Sequence, residues 1–320
     1  MNTVKQENVA LVSEPQPGLK VTEANYKYLE ESLLCSSTPL HERFRSLFTL
    51  RNLADIKSIE IIGKGFADDS ALLKHELAYV LGQIRNPHAI PILKNVLADM
   101  KEDPMVRHEA AEALGAIGNL SVLETLEHYL NDERVEVRET CELAIERIKM
   151  ENSEQKEVFS ISPYSSVDPA PPTTKVEKTS ELRDILLNSK LPLFERYRAM
   201  FALRNKGDEE SVLALAEGFG DNSALFRHEI AYVFGQMCHP ASVPSLIKTL
   251  SNPDEAGMVR HEAAEALGSI GTPEVLPVLE KFRLDQERVV RESCMVALDI
   301  FEYENSDQFQ YADGLTKETN

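Results

Sequence analysis

The chain has 320 residues, a formal net charge of −19, 42% hydrophobic residues and no tryptophan. It is long enough to bury substantial cores, and its acidic field repels nucleic acid and attracts basic partners. No apolar run approaches the roughly 20 residues of a membrane helix, no signal peptide is evident, and Cys35, Cys141, Cys238 and Cys294 lack Cys-x-x-Cys spacing. These features exclude a membrane protein and point to a reducing, cytoplasmic compartment.

Residues 1–22 are polar, contain Pro15, Pro17 and Gly18, and read as a disordered N-terminal extension. In 23–150 the segments RFRSLFTLRN, HELAYVLGQI, HEAAEALGAI and ETCELAIERI follow one another at steps of 31 to 33 residues. Their apolar and small residues recur at three- and four-residue spacing, which predicts buried amphipathic helices. Shorter helical stretches, 89–98 and 122–130, lie between them. Ser70 and Asp103 stand five residues before a histidine as N-cap signals, and Pro104 follows at the first helical position. Two helices per step is the signature of an α-solenoid, with four hairpins in this segment.

Residues 151–179, with Pro163, Pro169, Pro171 and Pro172, read as a linker. Fully extended it could reach about 100 Å, ample for a second unit to swing round and face the first. That unit is 180–304, a copy of the first at an offset of 153: GFADDSALLKHELAYVLGQI (65–84) returns as GFGDNSALFRHEIAYVFGQM (218–237), and MVRHEAAEALGAIG (105–118) as MVRHEAAEALGSIG (258–271). Residues 305–320 form a polar tail expected to fray. Strand-type alternation is absent. The expected fold is all-α: an α-solenoid of eight HEAT-like hairpins, in two duplicated four-hairpin halves that face each other.

The chemistry-bearing signal is a dipeptide. His75-Glu76, His108-Glu109, His228-Glu229 and His261-Glu262 occupy matching frames, 33 residues apart within each copy. The fold does not itself demand them. Equivalent positions in the outer hairpins carry Phe44-Arg45, Glu139-Thr140, Tyr197-Arg198 and Glu292-Ser293. His41-Glu42 stands one turn out of frame and its counterpart, Phe194-Glu195, lacks the histidine; His88, His128 and His239 have no counterpart and read as surface residues. Equivalent solenoid helices stack about 8–10 Å apart, so neighbouring pairs can share one space. Two such faces opposed would gather four imidazoles and four carboxylates. Those carboxylates cannot all stay ionised without cations, and two divalent metals would neutralise them. Histidine and carboxylate without thiolate suits iron or manganese and accepts zinc. Lys74, Arg107, Arg227 and Arg260, which precede the histidines, point about 100° away, to the outer face or to other helices. A non-catalytic scaffold and a binuclear zinc or manganese hydrolase remain open on these residues alone.

This combination, duplicated HEAT-like halves with His-Glu on the middle hairpins and MVRHEAAEALG in both, resembles the deoxyhypusine hydroxylase family over about residues 23–304. The resemblance implies a monooxygenase with two iron ions per chain. It would use dioxygen and an external reductant to hydroxylate the deoxyhypusine side chain of a translation initiation factor, a basic protein partner, giving hypusine. It further implies one iron on His75, His108 and Glu109, and the other on His228, His261 and Glu262. Glu76 and Glu229 would lie beside the metals as catalytic residues, binding the amines of the substrate or orienting ligands. Met105 and Met258 are candidates for the apolar part of a substrate channel, with plain helix packing as the alternative.

Overall fold

The computed structural model describes residues 21–154 and 162–315. Residues 1–20 of the N-terminal extension, 155–161 of the linker and 316–320 of the tail fall outside the described residues. Among those described, the sequence builds sixteen helices in eight antiparallel hairpins: α1 (Glu23–Leu34) with α2 (Leu40–Leu53), α3 (Ile56–Lys64) with α4 (Ala71–Ile84), α5 (Ile90–Ala98) with α6 (Pro104–Ile117), and α7 (Leu123–His128) with α8 (Val135–Glu151). The second copy gives α9 (Thr179–Leu187) with α10 (Leu193–Lys206), α11 (Glu209–Ala216) with α12 (Ala224–Met237), α13 (Val243–Ser251) with α14 (Gly257–Ile270), and α15 (Leu276–Phe282) with α16 (Arg288–Glu304). None is long and apolar enough to cross a membrane. The all-α solenoid of eight hairpins is therefore the observed architecture.

Local signals act where they were read. The Ser70 and Ser223 hydroxyls accept from the Leu73 and Phe226 amides (3.1 and 3.0 Å), and Asp103 accepts from Met105 (2.9 Å). The counterpart of Asp103 is Ala256, and α14 starts without a side-chain cap. The second helices of the hairpins form the inner layer, α4 on α6 on α8 and α12 on α14 on α16. Glycine sets their closeness: a Cβ on Gly82 would lie 2.8 Å from the Ala113 Cα, and one on Gly268 would lie 2.6 Å from the Ala297 carbonyl oxygen.

Four arginines tie the first, third, fifth and seventh hairpins each to the one that follows. Arg43, Arg107, Arg196 and Arg260 each donate through Nε to the carbonyl ten residues earlier (Leu33, Leu97, Leu186, Leu250). Each also donates to the aspartate twenty-five residues later (Asp68, Asp132, Asp221, Asp285). Arg107 and Arg260 are buried, so they turn to neighbouring elements and not to the outer face. Lys74 and Arg227 pair with Glu102 and Glu255.

The halves close on each other at two related interfaces. The Ser70 hydroxyl donates to Glu292 (2.6 Å), and its counterpart Ser223 donates to Glu139 (2.7 Å). Leu143 of α8 belongs to the C-terminal core and its counterpart Val296 of α16 to the N-terminal core, so each half sends a side chain of its last helix into the other. Arg45–Asp299 (2.9 Å) and Arg288–Asp69 (2.9 Å) pin the α16 interface.

The tail, expected to fray, is anchored as far as it is described. Tyr311 is buried against Phe48, Tyr303 and the Arg45 guanidinium, and the Gly314 amide donates to the Thr49 hydroxyl (3.1 Å). One aromatic ring among polar residues suffices to dock it. The described part of the linker is likewise packed: Asp168 takes two hydrogen bonds from the buried Arg204 (2.8 and 2.7 Å).

Candidate metal centre

The four histidines converge. Ring centroids lie 5.5 Å apart for His75–His108, 5.1 Å for His75–His261, 5.8 Å for His75–His228, 5.5 Å for His108–His228 and 5.3 Å for His228–His261. All four are buried, as are Glu76, Glu109, Glu229 and Glu262. The motif does this because α4, α6, α12 and α14 each carry it one turn in from the N-terminus, on the face turned to the opposite half.

Donor atoms cluster at metal-binding spacing. Those of His75, His108 and Glu109 lie within 4.8 Å of one another, as do those of His75, His228 and His261, and those of His261, Glu262 and Glu265. A Glu109 oxygen is 3.3 Å from His75 Nε2. Glu262 matches it at 3.4 Å from His228 Nε2, with the same oxygen 3.9 Å from His261 Nε2.

Both ring nitrogens of all four histidines are buried without a hydrogen-bond partner, and so is one oxygen of Glu229. Orphaned polar atoms each cost about 1–3 kcal/mol, and folded proteins keep few of them. Four imidazoles gathered at one place, each with a nitrogen free to ligate, fit an arrangement completed by cations.

The electrostatics agree. Burial opposes the charge of His75, but Glu109, Glu76 and Glu262 outweigh it and raise its pKa to about 9. Burial and the neighbouring imidazoles push His108 and His261 well below the usual value, into the neutral form a metal binds. Burial, helped by Glu262 and Glu109 and opposed by His75 and Arg51, lifts Glu76 to about 7. Burial, with Asp168, Glu109 and Glu262, lifts Glu229 well above the carboxylate range.

A cavity of 360 Å³ adjoins the centre and includes His75, Glu76, Glu109, His228, Glu229 and Glu262 in its wall. Met105 and Met258 are not part of that wall. The cavity runs from the histidines toward the C-terminal ends of the inner helices, whereas both methionines sit one turn toward the N-terminal ends; Met258 packs on the C-terminal core.

The wall holds further residues that are not among the candidates named from the sequence. Glu112 and Glu265 stand four residues after His108 and His261, and Tyr79 and Tyr232 four after His75 and His228. Four-residue spacing on a helix, repeated at the offset of 153, is the signal that would have found them. Tyr164 and Ser166 of the linker line it too, and no helical period marks them.

The pattern of HEAT repeats matches residues 59–146 and 212–299, and that of the PBS lyase HEAT-like repeat matches 195–221. A deoxyhypusine hydroxylase of Rattus norvegicus is 55% identical over 93% of this chain and 98% of its own length. One from Danio rerio is 58% identical over 89% and 94%. The structure of human deoxyhypusine hydroxylase in complex with glycerol superposes with a TM-score of 0.85 at 53% identity, covering 88% of this chain and 96% of that one. The chain belongs to the deoxyhypusine hydroxylase family. As a member of that family it is a deoxyhypusine monooxygenase, and the scaffold and hydrolase alternatives give way to that reading.

Proposed function

We propose that this family member holds two irons between its halves, one on His75, His108 and Glu109 and the other on His228, His261 and Glu262. The four buried imidazoles, each with an unpartnered nitrogen to offer a metal, carry the reading. Iron held there would supply dioxygen activation, by which one oxygen atom enters a C–H bond of the substrate and the other leaves as water, with two electrons from an external reductant. No flavin or nicotinamide fingerprint occurs in the chain, so those electrons come from another protein or a small molecule.

The chain's own residues bind, orient and shield. Glu76 and Glu229 face the cavity from opposite halves, and each can counter an ammonium group of the deoxyhypusine side chain when that chain is desolvated. Tyr79 and Tyr232 meet between the halves, and Gln236 donates to the Tyr232 hydroxyl (3.0 Å) and to Ser166 (2.8 Å), so the linker forms part of the cavity wall. The partner is a deoxyhypusine-bearing translation initiation factor, in the cytoplasm.

The test is hydroxylation of a deoxyhypusine-bearing protein by the full chain after anaerobic iron loading, followed by metal mass spectrometry. About two irons per chain and oxygen-dependent product are expected. Product formed by the zinc-loaded chain without oxygen would sink the reading.

A further inference from the structure

The metal ligands obey the two-fold relation between the halves, but the substrate, a chain with two different ends, cannot. One half must therefore offer the way in, and the residues beyond the ligands differ in a manner that says which.

In the N-terminal half the crevice beside α4, α6 and α8 is filled. Arg85 donates to Glu151 (2.6 Å). Arg147 donates to the Gly115 carbonyl (3.3 Å) and to that of Asp168, and lies 3.9 Å from Glu151. Gln83 holds both the amide (2.9 Å) and the carbonyl (3.2 Å) of Val167. Arginine side chains and linker together seal that side, and Arg85, Arg147 and Glu151 take no part in the cavity wall.

In the C-terminal half both arginines are gone. At the offset of 153, Arg85 becomes Cys238, Arg147 becomes Ile300, and Glu151 remains as Glu304. Cys238, Ile300 and the retained Glu304 all line the cavity, together with Ser269 and Ile270. Cys238 and Glu304 are exposed, so the cavity runs from the buried histidines to the surface between the ends of α12, α14 and α16. No ion pair is found for Glu304 among the described residues, while its duplicate Glu151 has two. The wall holds seven carboxylates against a single guanidinium, Arg51. Small and apolar groups at 238 and 300 leave room for methylenes, and Glu304 stands at the rim with a free charge.

We propose that the substrate reaches the metal centre through this mouth in the C-terminal half, and that Glu304 pairs there with a cation of the arriving substrate. The proposal rests on the deoxyhypusine reading. The cation is an ammonium, supplied either by the modified side chain or by a basic residue flanking it.

Glu304→Gln is the first test, in steady-state kinetics of the iron-loaded full chain with a deoxyhypusine-bearing protein. KM rises about fivefold, the scale of one partly solvated ion pair, while kcat and iron content stay unchanged. Glu304→Asp recovers most of the loss. Glu151→Gln leaves KM unchanged. A short deoxyhypusine peptide with no other basic residue separates the sources: a KM effect that persists assigns the side-chain ammonium, and one confined to the protein assigns a flanking residue.

The double variant Cys238→Arg, Ile300→Arg restores the plug of the other half. It lowers kcat/KM at least tenfold and weakens anaerobic binding of the substrate protein, with iron content retained. Equal KM for Glu304→Gln and wild type overturns the role of Glu304, and full activity of the double variant overturns the mouth. Wild-type chain that binds the protein anaerobically yet never hydroxylates it counts against the reaction; the binding constants of the variants then decide the mouth alone.

Discussion

The hydroxyl of Tyr79 lies 3.1 Å from that of Tyr232, and the two residues are 153 positions apart, the offset of the duplication. A residue touching its own duplicate marks a local two-fold axis through the centre of the molecule. The His-Glu pairs, one helical turn away, are arranged about that axis. Neither half owns the cavity, since each contributes a histidine, a tyrosine and several glutamates to its wall. The centre therefore depends on closure of the halves, to which Ser70–Glu292 and Ser223–Glu139 contribute.

That arrangement predicts how metal and stability are linked. His108→Ala and His261→Ala should each reduce bound iron to about one per chain or fewer, measured by mass spectrometry after anaerobic loading. A cation that binds the folded form alone stabilises it by about 2.7 kcal/mol at a hundredfold excess over its Kd. The wild type should thus melt higher when loaded and lower after chelation, and small-angle scattering should show the halves loosening without iron. Unchanged metal content in His108→Ala would return the pairs to a purely structural role.

Helix spacing offers a second test. In an isolated helix, glycine to alanine is stabilising by about 1 kcal/mol. At Gly82 the new methyl meets the Ala113 backbone at 2.8 Å, and forcing extra volume into packed helices costs about 1–3 kcal/mol. The clash wins, because backbone cannot step aside as a side chain can. Gly82→Ala should move α4 away from α6, separating His75 from His108 and Glu109. Weaker iron binding with the helical circular dichroism retained is the expected result.

Charge predicts a kinetic signature. A chain of net charge −19 that captures a basic protein should lose capture as salt screens the attraction, with a Debye length near 10 Å at 0.1 M. KM should rise with ionic strength while kcat, set inside the enclosed centre, holds. A KM indifferent to salt would remove long-range attraction from the account.

The repeat architecture and the His-Glu set were legible because both are written as helical periods, duplicated at 153. Glu112, Glu265, Tyr79 and Tyr232 lay in the same quoted segments and needed only the step from i to i+4. Other features had no period to betray them. Tyr311 docks a polar tail through one ring, and Asp168 is fixed by an arginine 36 residues further on. The burial of Arg107 was hidden because its partner Asp132 sits in a turn of the next hairpin. The proposed mouth rests on what one copy lacks, at Cys238 and Ile300, and a loss carries no period.

The repeated arginine clamp makes the last prediction. Arg107 is wholly enclosed and donates to both oxygens of Asp132 (3.1 and 2.6 Å). Arg260 has Asp285 and also Glu287 (3.2 Å), which is half exposed. Removing one partner of a buried pair leaves the other charge uncompensated, at a cost of about 3 kcal/mol or more. Asp132→Asn should therefore destabilise the chain more than Asp285→Asn, where Glu287 and water share the guanidinium. The pH dependence has a definite sign. Burial favours protonation of Asp132, but Arg107, the Arg134 amide and Arg138 outweigh it and hold the carboxyl below its usual range; Asp285 is lowered by Arg260 and the Glu287 amide in the same way. A carboxylate with a depressed pKa contributes fully above its unfolded value, about 4, and loses that contribution as pH falls through the folded value. Denaturation of wild type and Asp132→Asn, compared at pH 7 and at pH 3 and below, should show the gap closing as acid protonates Asp132 in the wild type. A gap of constant width would mean that the clamp works through packing of the arginine stem and not through its charge.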